Sequence, residues 1–181
     1  MTITIRDIKE EDIEKVHRIN QRNIPNVSDI TMEDLKWLCQ RACFKKLVED
    51  KEGIFGFILC FFSGHPYESP NYQWFVKNYD NFLYIDRIAI DERGQGKGIG
   101  SLLYGELEGF GTDSNSECLC CEVNIRPTNE LSMRFHEKHK FEKVGEQDTE
   151  TGKKTVALLT KRLKHTEQSH SGDRVNAAPG A

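Results

Sequence analysis

The stretch Asp91-Glu-Arg-Gly-Gln-Gly-Lys-Gly-Ile-Gly-Ser101 sets four alternate glycines between two segments of different periodicity. Before it, Phe82–Ile90 is a run of aromatic and β-branched residues, the pattern of a strand. After it, Ile99, Leu102, Leu103, Leu107 and Phe110 fall on one side of a helix. A strand that enters a helix through such a loop gathers several backbone amides at a helix N-terminus, where the dipole favours an anion. Glycine adds positive φ and lets a ligand come close to the backbone. A phosphate or pyrophosphate is the natural guest. Three familiar phosphate loops fail on spacing. No start at Gly94, Gly96 or Gly98 completes G-x-G-x-x-G, which excludes the dinucleotide and kinase loops, and Lys97 is followed by glycine rather than the Ser or Thr of a P-loop.

The rest of the chain reads as strands and helices around this junction. Thr2–Arg6 alternates as a strand. Glu11–Gln21 is helical, with Asp7 or Asp12 available to start it, and Asn23–Asp29 is a loop. Thr31 offers an N-cap, with Asp34 three residues on, to a helix carrying Leu35, Leu38, Ala42 and Cys43. Lys45–Glu49 and Ile54–Phe62 form a hairpin turned at Gly53. Ser63–Asn81 is a long surface excursion holding two prolines, anchored by Trp74 and Phe75. Glu117–Val123 is a fifth strand and Asn129–His139 a helix. Phe141–Val144 and Thr155–Leu163 close a single domain, 1–163, as a hairpin across Gly152. The expected architecture is an α/β fold with a mixed sheet of about seven strands and helices on both faces. From Glu167 onward no apolar period remains, so 164–181 is expected to be a disordered tail.

Composition narrows the function classes. A net charge of −4 argues against a nucleic-acid binder. No apolar run approaches the roughly 20 residues of a membrane span, and the N-terminus lacks the apolar core of a signal peptide, so a cytoplasmic protein without membrane association is expected. The six cysteines contain no C-x-x-C pair. On a strand Cys120 and Cys121 point to opposite faces, so the thiols read as small buried apolar groups rather than as a metal site.

The glycine loop resembles the Q/R-x-x-G-x-G/A signature of the GNAT superfamily of N-acetyltransferases. Two registers fit, Arg93 with Gly96 and Gly98 or Gln95 with Gly98 and Gly100, and the interval from the preceding strand favours Gln95. A second segment, Asn129-Glu-Leu-Ser132-Met-Arg-Phe135-His136-Glu-Lys-His-Lys-Phe141, is similar to the later N-x-x-S/A-x-x-F-Y-x-x-x-G-F of the same family. Asn71-Tyr-Gln-Trp74 and Phe82-Leu-Tyr-Ile-Asp86-Arg-Ile further resemble a bacterial subgroup of predicted acetyltransferases. The resemblance runs from Met1 to about Leu163. It implies a sheet splayed between its fourth and fifth strands, with acetyl-CoA as co-substrate in the gap and no metal. Ile88, Ala89 and Ile90 would meet the pantetheine arm through their backbone. Gln95, Gly96, Lys97, Gly98, Ile99, Gly100 and Ser101 would surround the pyrophosphate. Asn129, with Ser132 and His136 on the following helix, would complete the cofactor contacts. The acceptor would be a small-molecule or peptide amine. Dimerisation is common in the family, although no residue here demonstrates a homodimer.

Two positions depart from the family pattern: His136 stands for the usual Tyr and Lys140 for the usual Gly. Acetyl transfer needs a neutral amine, a polarised carbonyl and a proton for the departing thiolate. His136 occupies the position of the family's acid, and an ordinary imidazole can transfer a proton near neutrality. Tyr84 is a second acid candidate. Asp86 is the candidate base, on the assumption that Tyr84, Asp86, Ile88 and Ile90 share one strand face amid apolar neighbours that raise its pKa. His17, Asn20 and Asn23 lie in the region that lines the acceptor pocket in such proteins, and Lys138, His139 and Lys140 could meet the cofactor's 3′-phosphate. A non-catalytic acyl-CoA sensor, which keeps the loop and loses the acid–base pair, stays open beside the enzyme.

Overall fold

A computed structural model describes residues 2–164, which form one seven-stranded sheet in the order β1-β2-β3-β4-β5-β7-β6. The strands are β1 (Thr4–Asp7), β2 (Phe44–Asp50), β3 (Gly53–Phe62), β4 (Phe82–Ile90), β5 (Cys118–Arg126), β6 (Glu142–Thr149) and β7 (Lys154–Arg162). The helices are α1 (Ile13–Arg22), α2 (Met32–Arg41), α3 (Pro70–Asn78), α4 (Ile99–Asp113) and α5 (Glu130–Lys138). Every neighbouring pair is antiparallel except β4 with β5. The mixed sheet expected from the sequence is therefore present. The segment 164–181, expected to be a tail, lies outside the described residues but for its first position.

Period-2 patterning divides the core into two layers. On one face Leu47, Phe57, Leu59, Phe61, Phe82 and Tyr84 meet Val16 and Ile19 of α1, Leu35 and Leu38 of α2, and Tyr72 and Phe75 of α3. On the other, Ile58, Leu83, Ile85, Leu119 and Leu159 meet Leu103, Tyr104 and Leu107 of α4 together with Phe135 of α5. The helix starts follow local chemistry. Thr31 accepts the Asp34 amide at 3.0 Å and donates to the Asp34 carboxylate at 2.7 Å, and Asn129 accepts the Ser132 amide at 3.2 Å. Asp12 takes the Lys9 amide and a two-point ion pair from Arg6, which also reaches Glu49 and so pins β1.

Two expectations need correction here. The Ser63–Asn81 segment is not only a surface excursion, because it contains α3, whose Tyr72 and Phe75 are fully buried. Pro70 at the first helical position suits a helix start. Trp74 packs against Gly145, and the Gln147 amide donates to Asn71 at 2.9 Å, so α3 reaches across to the far edge of the sheet at β6. Leu102, assigned to the apolar side of α4, is 47% exposed. The αL turn where α5 ends falls on Lys140 at φ +67°, the position where the family's glycine would carry no Cβ penalty.

Candidate functional site

The parallel pairing of β4 with β5 is short. It runs Phe82↔Cys118, Leu83↔Leu119 and Tyr84↔Cys120 and then stops, while β4 continues on β3 to Ile90 and β5 continues on β7 to Arg126. Beyond that last rung the strands diverge, so the edge of β4 from Asp86 onward carries backbone groups without a β5 partner. Such an edge can take an extended ligand as an added strand. The strand end at Ile90 leads directly into the glycine loop, which places the loop at the open end of the gap.

The four alternate glycines divide into two kinds. At Gly94 and Gly100 a Cβ would collide, at 2.7 Å with the Phe55 ring and at 3.0 Å with the Phe135 ring respectively, so these two allow close packing. Gly96 and Gly98 have φ of +71° and +78°, with open space where a side chain would stand. Gly98 is the left-handed N-cap of α4, and the amides of Ile99, Gly100 and Ser101 are the first of the helix, which have no intrahelical acceptor. This is an amide cradle of the kind that holds phosphate oxygens. Arg93 is turned away, bonded to Asp50, Glu52 and the Gly53 carbonyl, whereas Gln95 stays at the loop and donates to the Ile90 carbonyl at 3.2 Å. Ser101 meets His139 at 2.9 Å, which brings the end of α5 to the first turn of α4. Asn129 spends its side-chain oxygen on capping α5.

The candidate catalytic residues lie on opposite faces of the sheet. A β-bulge in β4 falls where the register shifts between Ile85 and Arg87, leaving Asp86 as the extra residue. The face assumed for Asp86 is thereby corrected: Ile88 and Ile90 pack on the α4 side with Ile85, whereas Tyr84 and Ala89 pack on the α1–α3 side. Asp86 and Arg87 both turn toward the α1–α3 side. Nor is Asp86 surrounded by apolar groups. Its carboxylate accepts from the Tyr67 hydroxyl at 2.6 Å and pairs with Arg87 at 2.7 Å, both charged side chains being about 5% exposed. Arg87 in turn donates to Asn20 and Ser28, and Asn20 donates to the Ser28 carbonyl. His17 bonds the Ile30 carbonyl and Asn23 bonds the Ile19 carbonyl, so those two side chains hold the loop after α1.

His136 lies on the α4–α5 face, 4% exposed. Its Nδ1 bonds the Ser132 carbonyl at 2.7 Å and its Nε2 the Tyr104 hydroxyl at 2.7 Å. The carbonyl only accepts, so Nδ1 carries the proton and Nε2 accepts from Tyr104. Burial pushes the imidazole down to about 4, against the weaker upward pull of the Ser132 carbonyl. A neutral imidazole with both nitrogens engaged does not match the protonated acid expected from the sequence. Tyr84 also departs from its expected role. It is fully buried, its pKa is raised well above the ordinary value by burial and then by Glu122, and its hydroxyl donates to Glu122 at 2.7 Å.

Glu122 is the residue that sequence reading missed. It stands two positions beyond Cys120 on β5, as Asp86 stands two beyond Tyr84 on β4, so the two carboxylates face the gap just past its last rung. Burial pushes Glu122 up to about 7, with the Tyr84 hydroxyl and the Asn71 amide pulling it back and Asp86 adding to the rise. The signal was present in the period-2 row Cys118, Cys120, Glu122, Asn124, where an acid interrupts an apolar strand. Asn124 donates to the Pro25 carbonyl at 2.9 Å and Arg87 reaches Ser28 at 3.4 Å, so the loop after α1 is tied to both β5 and β4 on this face.

The sequence profile described as "Acetyltransferase (GNAT) family" matches residues 13–141. Among solved structures, Ard1 from Thermoplasma volcanium superposes with a TM-score of 0.76 at 19% identity, covering 91% of this chain and 100% of that one. Arabidopsis thaliana NAA60, solved in complex with a bisubstrate analogue, gives 0.74 at 16% identity, covering 91% and 100%. The ribosomal-protein-S18-alanine N-acetyltransferase from Escherichia coli gives 0.70 at 14%, covering 93% and 98%. No curated protein matches the sequence. Among the described residues no helix is long and apolar enough to cross a membrane, and the six cysteines are unpaired, five of them buried.

Proposed function

The chain belongs to the acetyltransferase (GNAT) family, and on that premise we propose that it transfers an acetyl group from acetyl-CoA to a primary amine by direct attack on the thioester. The observation that carries this reading is the union of an amide cradle at Gly96–Ser101 with a β4 edge that has no β5 partner beyond Tyr84. The cradle fits the pyrophosphate, and the backbone of Ile88, Ala89 and Ile90 suits the pantetheine arm. Acetyl-CoA supplies an activated acyl group and a thiolate leaving group whose ordinary pKa of about 8.5 demands little acid assistance.

Glu122 is the base of this proposal. A carboxylate near 7 can take a proton from an incoming ammonium at neutral pH and still be ionised often enough to do so. Tyr84 donates to one of its oxygens and Asn71 supports it, which holds the carboxylate in place. Asp86 is a positioning residue in this scheme, fixing Arg87 and through it the loop after α1. His136 ties α5 to α4 through Tyr104 and is neutral at neutral pH, with its one N–H given to the Ser132 carbonyl. That neutral imidazole favours one other reading, a non-catalytic acyl-CoA-binding domain.

The two readings separate in one experiment. Calorimetric titration with CoA, together with thermal melts over a range of CoA concentrations, should show binding and a rise in stability by mass action. Release of free thiol from acetyl-CoA with a panel of amines then indicates the transferase. Binding without thiol release indicates the non-catalytic domain, and absence of binding at saturating CoA overturns both.

A further inference from the structure

The acceptor side of the gap holds a carboxylate that lacks a cation. Among the described residues the hydrogen-bond partners of Glu122 are neutral, the Tyr84 hydroxyl and the Asn71 amide, and the charge of Asp86 further opposes its ionisation. The cation that lies closest along the strand, Arg87, is already committed. Its Nε bonds Asp86 at 2.7 Å, one terminal nitrogen bonds Asn20 at 3.0 Å and the other approaches Ser28 at 3.4 Å, with the side chain 5% exposed. At the ends of the elements that frame the gap, Arg22 is bonded to Asp91, and Arg126 to Asp148 and the Gly152 carbonyl.

Charge logic follows from this arrangement. A buried carboxyl without a counter-cation is costly to ionise, and an arriving ammonium supplies the missing charge. A carboxylate carried next to the amine would instead enter beside Glu122 and Asp86 with no guanidinium free to receive it. Like charges at a few ångströms in a partly desolvated site repel strongly.

Resting on the transferase reading above, we propose that the acceptor subsite selects a cationic primary amine with no anionic group on the neighbouring carbon. Amides of amino acids, amino alcohols, polyamines and the α-amino groups of peptides fit this description, and free α-amino acids do not. Arg87 sets the selectivity by being neutralised. Its guanidinium would be the natural clamp for an α-carboxylate, and Asp86 has taken that place.

Matched pairs test this directly: alaninamide against alanine, tyramine against tyrosine, and ethanolamine against glycine. Each is titrated calorimetrically into the CoA-bound protein, and each is assayed for thiol release from acetyl-CoA. The carboxylate-free member is expected to bind at least tenfold tighter and to show at least a tenfold higher kcat/KM in every pair that reacts. Equal or reversed preference would overturn the proposal. CoA bound with no amine binding and no thiol release would overturn the transferase reading itself, a different outcome. In Asp86→Asn, which frees Arg87, the ratio is expected to narrow as the free acids gain. A folded variant with an unchanged ratio would remove Arg87 from the explanation and refute the proposed origin of the selectivity. Should that variant fail to fold, the matched pairs on the wild-type protein still decide.

Discussion

Replacing Glu122 by Gln isolates the energetic cost of its ionisation. In the unfolded chain this carboxyl ionises at its ordinary value of 4.5, and in the folded protein at about 7, because burial opposes the charge. The folded state therefore holds the proton more tightly, and stability falls as pH rises from 4.5, levelling off above 7. At about 1.36 kcal/mol per pH unit this window is worth roughly 3 kcal/mol, trimmed to about 2–3 because part of the residue still meets solvent. Gln keeps the shape and can still accept from Tyr84, but it does not titrate. Urea denaturation of both proteins at intervals from pH 4.5 to 8.5 gives a difference curve in which every other titrating group cancels. That difference, variant minus wild type, should climb by about 2–3 kcal/mol across the window. With a reacting amine, the acidic limb of the kcat/KM profile near pH 7 should disappear in the variant. A stability difference that stays flat with pH would refute the buried, uncompensated carboxyl. A retained acidic limb would refute Glu122 as the base.

Three further outcomes are expected. His136 titrates in the opposite sense: its folded value of about 4 lies below the ordinary 6.5, so its contribution is present above pH 6.5 and lost as pH falls through 4. The urea difference curve between wild type and His136→Phe should therefore drop by about 3 kcal/mol over that range, and a flat curve would deny the neutral imidazole. Gly98→Val forces a β-branched residue to φ +78°, costing about 2 kcal/mol of stability, and should weaken CoA binding by calorimetry more than tenfold in protein that circular dichroism shows to be folded. Lys140→Gly relieves about 1–2 kcal/mol of left-handed strain against about 0.4–1 kcal/mol of added unfolded-state entropy, for a net gain of roughly 0.5–1 kcal/mol and a Tm increase of a few degrees.

Local chemistry alone settled much of this protein. The Thr31 cap, the Gly53 turn, the strand Phe82–Ile90 and the glycines of the loop that follows it are all decided within a few residues of chain, so a linear reading finds them. Even the strained turn at Lys140 was legible as a glycine position filled by another residue. What the linear reading could not reach depends on register and on contacts between distant segments. A single bulge in β4 changes which residues share a face, because strand side chains alternate with period two and one extra residue inverts everything after it. The helix α3 hid in a loop-like, proline-bearing segment because its stability comes from burying Tyr72 and Phe75 against the sheet rather than from its own periodicity. His136 is kept neutral by burial, and the group on its Nε2 is Tyr104 of another helix, thirty-two positions away in sequence. Glu122 acquires its meaning only where β4 and β5 part, since it takes the tertiary fold to bring the charge of Asp86 to bear on a carboxyl whose own partners are neutral.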